Sequence, residues 1–318
     1  MKLFPLLLIF LSFSTEMQAQ RISKADFTLL TKKEDSLKVP AIRILNGTNP
    51  AAKLSSDSIF TRGLVRALKV KHSFDYPFDS LITISKIYPP DSSFRIFTWQ
   101  MAISDNVIRQ HGAIQMRTAD GSLKLYPLID KSDVTEKMSD TIGNNYGWMG
   151  AVYYKIIHTT WQNKDYYTLL GFDENNIHSD KKLIEILTFN QDGPVFGNRS
   201  FVFENGNVFQ KNIARYVMEF KKDVGPRLTY DPELQMIVME HLVSESNEPL
   251  KKWTLIPDGD YEGFKWINGK WAYVSKIFND VTPEGKPPTP KTIRDEKGNV
   301  EYEKLKGNEG TGTTPPTP

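Results

Sequence analysis

The chain predicts a mainly β protein of antiparallel meanders, arranged as a sandwich, an open barrel or a propeller-like set, with one or two N-terminal helices and a disordered C-terminal tail. Three observations predict it. From residue 81 onward the apolar residues follow a strand-like alternation rather than a helical period. The apolar runs are separated by short turns such as Pro89-Pro90-Asp91-Ser92-Ser93, Ser104-Asp105-Asn106 and Asp120-Gly121. Strands joined this way, with few helices between them, pair antiparallel. The third observation is one hairpin that can be read to the residue.

That hairpin turns at Asn268-Gly269, the dipeptide favoured where both central residues need positive φ. Counting outward pairs Ile267 with Lys270, Trp266 with Trp271, Lys265 with Ala272 and Phe264 with Tyr273. Side chains alternate along a strand, so Phe264, Trp266, Trp271 and Tyr273 share one face and Lys265 and Lys270 the other. Trp266 and Trp271 are thus candidates for a flat platform under a sugar ring, or else core. Burial is the commoner fate of such residues, because each removes ~150–250 Å² from water. Trp148, with Tyr153, Tyr154 and Trp161 nearby, poses the same alternative.

The N-terminus predicts export. Lys2 is followed by an apolar run at 3–13 broken only by Pro5 and Ser12, then by polar residues and small Ala19. This is the layout of a signal peptide at 1–19, cleaved after Ala19. The run is shorter than the ~20 residues of a spanning helix, and no later segment is longer, so no transmembrane segment is expected. The chain has no cysteine, which excludes disulfides, thiol catalysis and thiolate metal sites. An exported protein without disulfides suits a bacterial periplasm or surface. With 40 basic and 38 acidic residues it has no footprint for nucleic acid.

Residues 25–38 read as a short helix ending before Pro40. A second helix is expected over 50–69, where Phe60, Leu64 and Leu68 recur at four-residue spacing and Ser55, Ser56 and Asp57 offer caps. Arg62, Arg66, Lys69 and Lys71 form a basic stripe, read as a solvated face. Residues 20–75 are expected to pack as a helical segment on the sheet. The β domain is placed at 76–279, with the polar stretch 130–147 as a loop that could divide it. Strands are expected at 81–88, 94–101, 107–117 and 123–128, then at 148–158, 166–172, 182–189 and 200–203. A third set covers 213–221, 227–230, 236–243, 253–256 and the hairpin. Beyond residue 279, Pro, Gly, Thr and charges replace apolar residues, so 280–318 is expected to be disordered.

The chain resembles a family of exported proteins of unknown function found in Bacteroidota. Five stretches carry the likeness: Ser58-Ile59-Phe60-Thr61 with Leu64-Val65-Arg66-Ala67-Leu68-Lys69; Phe94-Arg95-Ile96-Phe97-Thr98-Trp99; Tyr166-Tyr167-Thr168-Leu169-Leu170-Gly171-Phe172-Asp173; Pro194-Val195-Phe196-Gly197; and Asp258-Gly259-Asp260-Tyr261-Glu262-Gly263-Phe264. The resemblance implies export and supplies no catalytic residue.

The residues offer few motifs for chemistry. Asp258, Asp260 and Glu262 stand at positions 1, 3 and 5 of a loop with Gly263 at 6, the start of a calcium-loop spacing. Position 12 is Gly269 rather than glutamate, so an EF-hand is excluded and only a partial calcium site is left, against an unliganded turn. Asp173 and His178 flank the polar stretch Glu174-Asn175-Asn176 and are candidates for one ligand-binding cluster. His241 alternates with Ile237, Met239 and Val243, which predicts a buried histidine. No nucleophile elbow, phosphate loop or zinc-binding His-Glu-x-x-His is present. The expected function is therefore a non-catalytic binding or interaction module meeting an envelope protein or a glycan, with no cofactor beyond the candidate calcium. The alternative is a hydrolase of envelope polysaccharide or peptide, using carboxylates in a β-scaffold cleft.

Overall fold

A computed structural model describes residues 22–203 and 212–278. The expected signal peptide and the tail at 280–318 lie outside the described residues. Described residues up to Ile277 belong to one compact unit.

Two helices open it. In α1 (Lys24–Asn46) Ser23 caps the first turn by accepting from the Asp26 N–H at 3.0 Å. The expected stop before Pro40 is corrected: the helix runs through that proline. Pro40 removes one intrahelical hydrogen bond, at a cost of about 3 kcal/mol. Leu37, Pro40, Ala41 and Ile44 are all buried in the same stripe, and that packing holds the helix together. In α2 (Pro50–Leu68) the cap is Asn49, whose side chain accepts from the Ala51 N–H at 2.8 Å, with Pro50 in the first turn. Ser55, Ser56 and Asp57, expected as caps, lie inside the helix, and Asp57 instead accepts from Trp99 Nε1 at 2.7 Å. Gly63 lets the helices approach closely, since a Cβ there would come 2.5 Å from Leu37 Cδ2. Arg62, Arg66, Lys69 and Lys71 are all exposed.

The first sheet is the meander β1 (Ser85–Ile87), β2 (Phe94–Ser104), β3 (Val107–Met116) and β4 (Lys124–Ile129), paired in chain order. A connecting segment with short 3₁₀ turns at Ser132–Val134 and Met138–Asp140 leads to β5 (Gly143–Asn144). The stretch at 130–147 thus joins the first two sheets, and Ile129 N–H donates to Asn145 O at 2.8 Å across it. The second sheet holds β6 (Val152–Trp161), β7 (Lys164–Asp173), β8 (Ser179–Asn190) and β9 (Gly193–Phe196), in the order β5-β9-β8-β7-β6.

Two strands depart from the expected grouping. Although β10 (Phe201–Val202) follows the second set in sequence, it pairs parallel to the last strand of the third sheet. Conversely, β11 (Arg215–Lys221) pairs antiparallel with β8 in the second sheet. Chain order predicts strand neighbours only when a short turn joins them. Here a long-range ion pair sets the partner: Arg215 and Glu185, both fully buried, meet at 2.5 Å across the β11–β8 pair. The third sheet is completed by β12 (Leu228–Asp231), β13 (Met236–Ser244), β14 (Leu255–Ile267) and β15 (Lys270–Val274), in the order β10-β15-β14-β13-β12.

The layers are helices, first sheet, second sheet and third sheet, with an apolar core between each pair. Phe97, Trp99 and Met101 of β2 face the helices, with Leu30, Leu37, Phe60 and Leu64. The alternate residues Phe94 and Ile96 face the second sheet, against Leu169, Leu183 and Leu187. Ile184 and Ile186 of β8 face the third sheet, against Ile237, Phe264 and Trp271. Stacked faces of this kind are a layered sandwich rather than a barrel or propeller. Because these sheets are covered on both sides, polar residues of β2 and β8 such as Arg95, Thr98 and Glu185 are buried along with the apolar ones.

Candidate binding pocket

The hairpin has the expected register, Ile267 with Lys270 through Phe264 with Tyr273. Asn268 and Gly269 both have positive φ, 49° and 77°. Its aromatic face is mostly core. Trp271 is fully buried and donates from Nε1 to Thr168 Oγ1 at 2.9 Å. Trp266 is half-buried, with its ring 5.2 Å from that of Trp271 and 5.6 Å from that of Tyr166. Trp148 is fully buried in the second core and donates to the Tyr153 hydroxyl at 2.6 Å. Two of the three candidate platform residues are therefore closed off from any ligand.

Asp173 and His178 are not brought together. Asp173 ends β7, is 5% exposed, and accepts from Gln110 Nε2 at 2.8 Å and from the Asn175 N–H at 3.0 Å. Burial pushes its carboxyl above the ordinary value of 3.8. The His178 side chain stands outside in solvent, and only its backbone is engaged, accepting from the Lys222 N–H at 3.0 Å.

The three calcium candidates also point to different partners. The pairing of β13 with β14 is irregular between Glu240 and Leu242, which match Tyr261 and Pro257. One residue of β13 thus faces three of β14, and the bulge breaks the alternation that would have kept 258, 260 and 262 on one face. Asp258 Oδ2 lies 2.8 Å from His241 Nδ1. Asp260 is exposed, with Lys276 Nζ at 3.9 Å. Glu262 turns inward and is 7% exposed. Among the described residues no group of three or more His, Asp or Glu is disposed to hold a metal ion. The same bulge corrects the expectation for His241, whose side chain is 41% exposed rather than buried.

Glu262 and His241 instead enter a pocket of about 390 Å³ between the second and third sheets. It is walled by Tyr216, Val217, Met218 and Glu219 of β11, by His241 and Leu242 of β13, and by Leu255 and Glu262 of β14, with Ser139 and Lys252 at its margins. Tyr273 Oη donates to Glu262 Oε2 at 2.5 Å and Tyr216 Oη to Oε1 at 3.4 Å. Burial and then the Glu262 carboxylate push both tyrosine hydroxyls up, so each stays protonated as a donor. Glu219 accepts from Ser179 Oγ at 2.6 Å and from Asn175 Nδ2 at 3.4 Å. For Asp258 burial acts upward, but the His241 ring and the Asp260 N–H outweigh it and hold the carboxyl below 3.8.

The four β11 residues in the wall are consecutive. Successive side chains of a strand point to opposite faces, so a pocket touching all four looks onto the strand's edge. The pocket was invisible in the sequence because Tyr216, His241 and Glu262 come from three strands. Only the inward turn of Glu262 could have been suspected, from the aromatic residues that follow it. No family model, no curated protein and no solved structure matches the chain, so the chemistry of this pocket has to be read from its own geometry.

Proposed function

We propose that the protein is an exported, non-catalytic binding module of the bacterial envelope, and that its receptor site is the pocket along β11. Glu262 carries this reading. Its carboxylate is buried in the pocket wall and oriented by two tyrosine hydroxyls, which makes a fixed acceptor beside an apolar floor of Val217, Met218, Leu242 and Leu255. A volume of about 390 Å³ suits a sugar unit or a few peptide residues. The partner is an envelope protein or a glycan. Export is supported by the signal-peptide layout at 1–19, by the absence of cysteine and by the resemblance to exported proteins of Bacteroidota. Among the described residues no helix is long and apolar enough to cross a membrane.

A hydrolase is the second reading, because Glu219 and Glu262 line the same pocket. Against it, both oxygens of Glu262 accept from tyrosines, whereas a general acid or base must exchange a proton with substrate. The deciding measurement is an NMR titration of the protein with envelope oligosaccharides and peptides. The amide signals of 216–219, His241 and Glu262 should move on binding, with the ligand recovered intact. Shifts confined to another surface would remove the pocket from the reading, and consumption of the ligand would replace binding with hydrolysis.

A further inference from the structure

The backbone of β11 narrows the choice of ligand. Opposed residues of an antiparallel pair alternate between exchanging backbone hydrogen bonds and turning those groups away. The register of β11 on β8 is unbroken from Arg215 opposite Glu185 to Lys221 opposite Ser179. One step further, the Lys222 N–H donates to His178 O at 3.0 Å, which marks that pair as hydrogen-bonded. Stepping back by twos, Phe220, Met218 and Tyr216 bond to β8, and Glu219 and Val217 turn their N–H and C=O groups to the outer edge. Beyond β8, no strand among the described residues pairs with β11. To no described residue do the N–H and C=O of Val217 and Glu219 make a hydrogen bond on that side. Just before β11, the Ile213 N–H donates to Phe201 O at 3.2 Å and the Ala214 N–H to Ser139 O at 2.8 Å. The open part, 216–219, is the part that lines the pocket.

An open edge of about 10 Å, walled on the far side by another sheet, is a template for about three residues of added strand. The charges select the sequence that fits. Glu262 is the carboxylate on the third-sheet side of this edge, Lys252 is the one lysine or arginine among the described residues that line the pocket, and His241 is paired with Asp258. We infer that the pocket takes an extended peptide segment bearing a lysine or arginine, which adds as a strand to β11 through Val217 and Glu219 and places its cation against Glu262. This rests on the pocket being the receptor site, and replaces the choice between protein and glycan with a basic peptide segment of a protein.

The test uses the whole protein and a pool of capped pentapeptides with Lys at the centre and the other positions randomised. Comparison pools carry Glu at the centre, or N-methyl groups on the central residue or on both its neighbours. A tetramer of N-acetylglucosamine serves as the glycan probe. The Lys pool should slow hydrogen exchange of the Val217 and Glu219 amides at least tenfold, and the Glu pool should bind at least tenfold more weakly. At least one N-methylated pool should lose binding, since methyl groups block alternate edge contacts. Val217→Pro removes an N–H that β8 does not use, so the variant should keep its fold and lose at least tenfold in affinity for the Lys pool. Equal binding by Val217→Pro, or by both N-methylated pools, would overturn strand addition. Movement of the pocket signals by the glycan probe alone would overturn the peptide while leaving the pocket as receptor. Movement by no probe would overturn both.

Discussion

Removing Arg215 while keeping Glu185 should unfold the protein far more readily than removing both. The Arg215 guanidinium donates from Nε to Glu185 Oε2 at 2.7 Å and from Nη1 to Met138 O at 2.7 Å, and both side chains are fully buried. Tyr153 donates its hydroxyl to the other oxygen of Glu185 and accepts from Trp148. Arg215→Met leaves the Glu185 carboxylate dry with one neutral donor, and breaking a buried pair this way costs ~3–5 kcal/mol. For a chain of this size that is a fall in Tm of about 6–20 °C. In the double variant Arg215→Met with Glu185→Leu no charge is stranded. The residual cost is the Tyr153 hydroxyl left without its acceptor, about 1–3 kcal/mol, together with the Met138 carbonyl that both variants leave without its Arg215 donor. The double variant should therefore melt well above the single one in thermal and urea unfolding followed by circular dichroism. A double variant melting at or below the single one would refute the stranded-charge argument. The pocket should respond too, because Arg215 also holds the turn that carries Ser139.

Asp173→Asn should be as stable as the parent or more stable at neutral pH. Burial raises the folded-state pKa of Asp173 above 3.8, so its ionised form costs stability as pH rises through that value, and the advantage of Asn should vanish below about pH 3.8. Thermal melts from pH 3 to 7 measure this, and an Asn variant that is less stable throughout would contradict it. Gly269→Ala should cost ~2–4 kcal/mol, because φ is 77° and a Cβ there would meet Trp161 Cδ1 at 2.5 Å. Placing the same change on Trp161→Ala should reduce the loss to the backbone part, ~1–2 kcal/mol, in urea titration. Calcium or a chelator should leave Tm unchanged, since Asp258, Asp260 and Glu262 are held by separate partners. A rise of several degrees with millimolar calcium would mean that the loop rearranges around the ion.

What could be read from sequence was local. The Asn268-Gly269 turn sets its own dihedral angles and the pairing on either side, so its register needed nothing from the rest of the chain. The four-residue spacing of Phe60, Leu64 and Leu68 likewise marks the buried stripe of α2. Where local propensity and packing disagree, sequence misleads: Pro40 signals a stop, but the buried neighbours of α1 carry the helix past it. Asp258, Asp260 and Glu262 keep an even spacing that suggests one face, and a bulge created by pairing with β13 separates them.

The sequence by itself determined the layer-forming material, since alternation, turn chemistry and one helical period are properties of neighbours in the chain. Tertiary structure decided which sheet β10 and β11 join, because strand partners separated by long connections are chosen by what they bury. For β11 that is the Arg215–Glu185 pair, and for β10 it is Phe201 in the third core. The same choice leaves one edge of β11 open beside Glu262. A pocket assembled from three strands of two sheets has no signature along the chain, because its residues become neighbours only when the sheets stack.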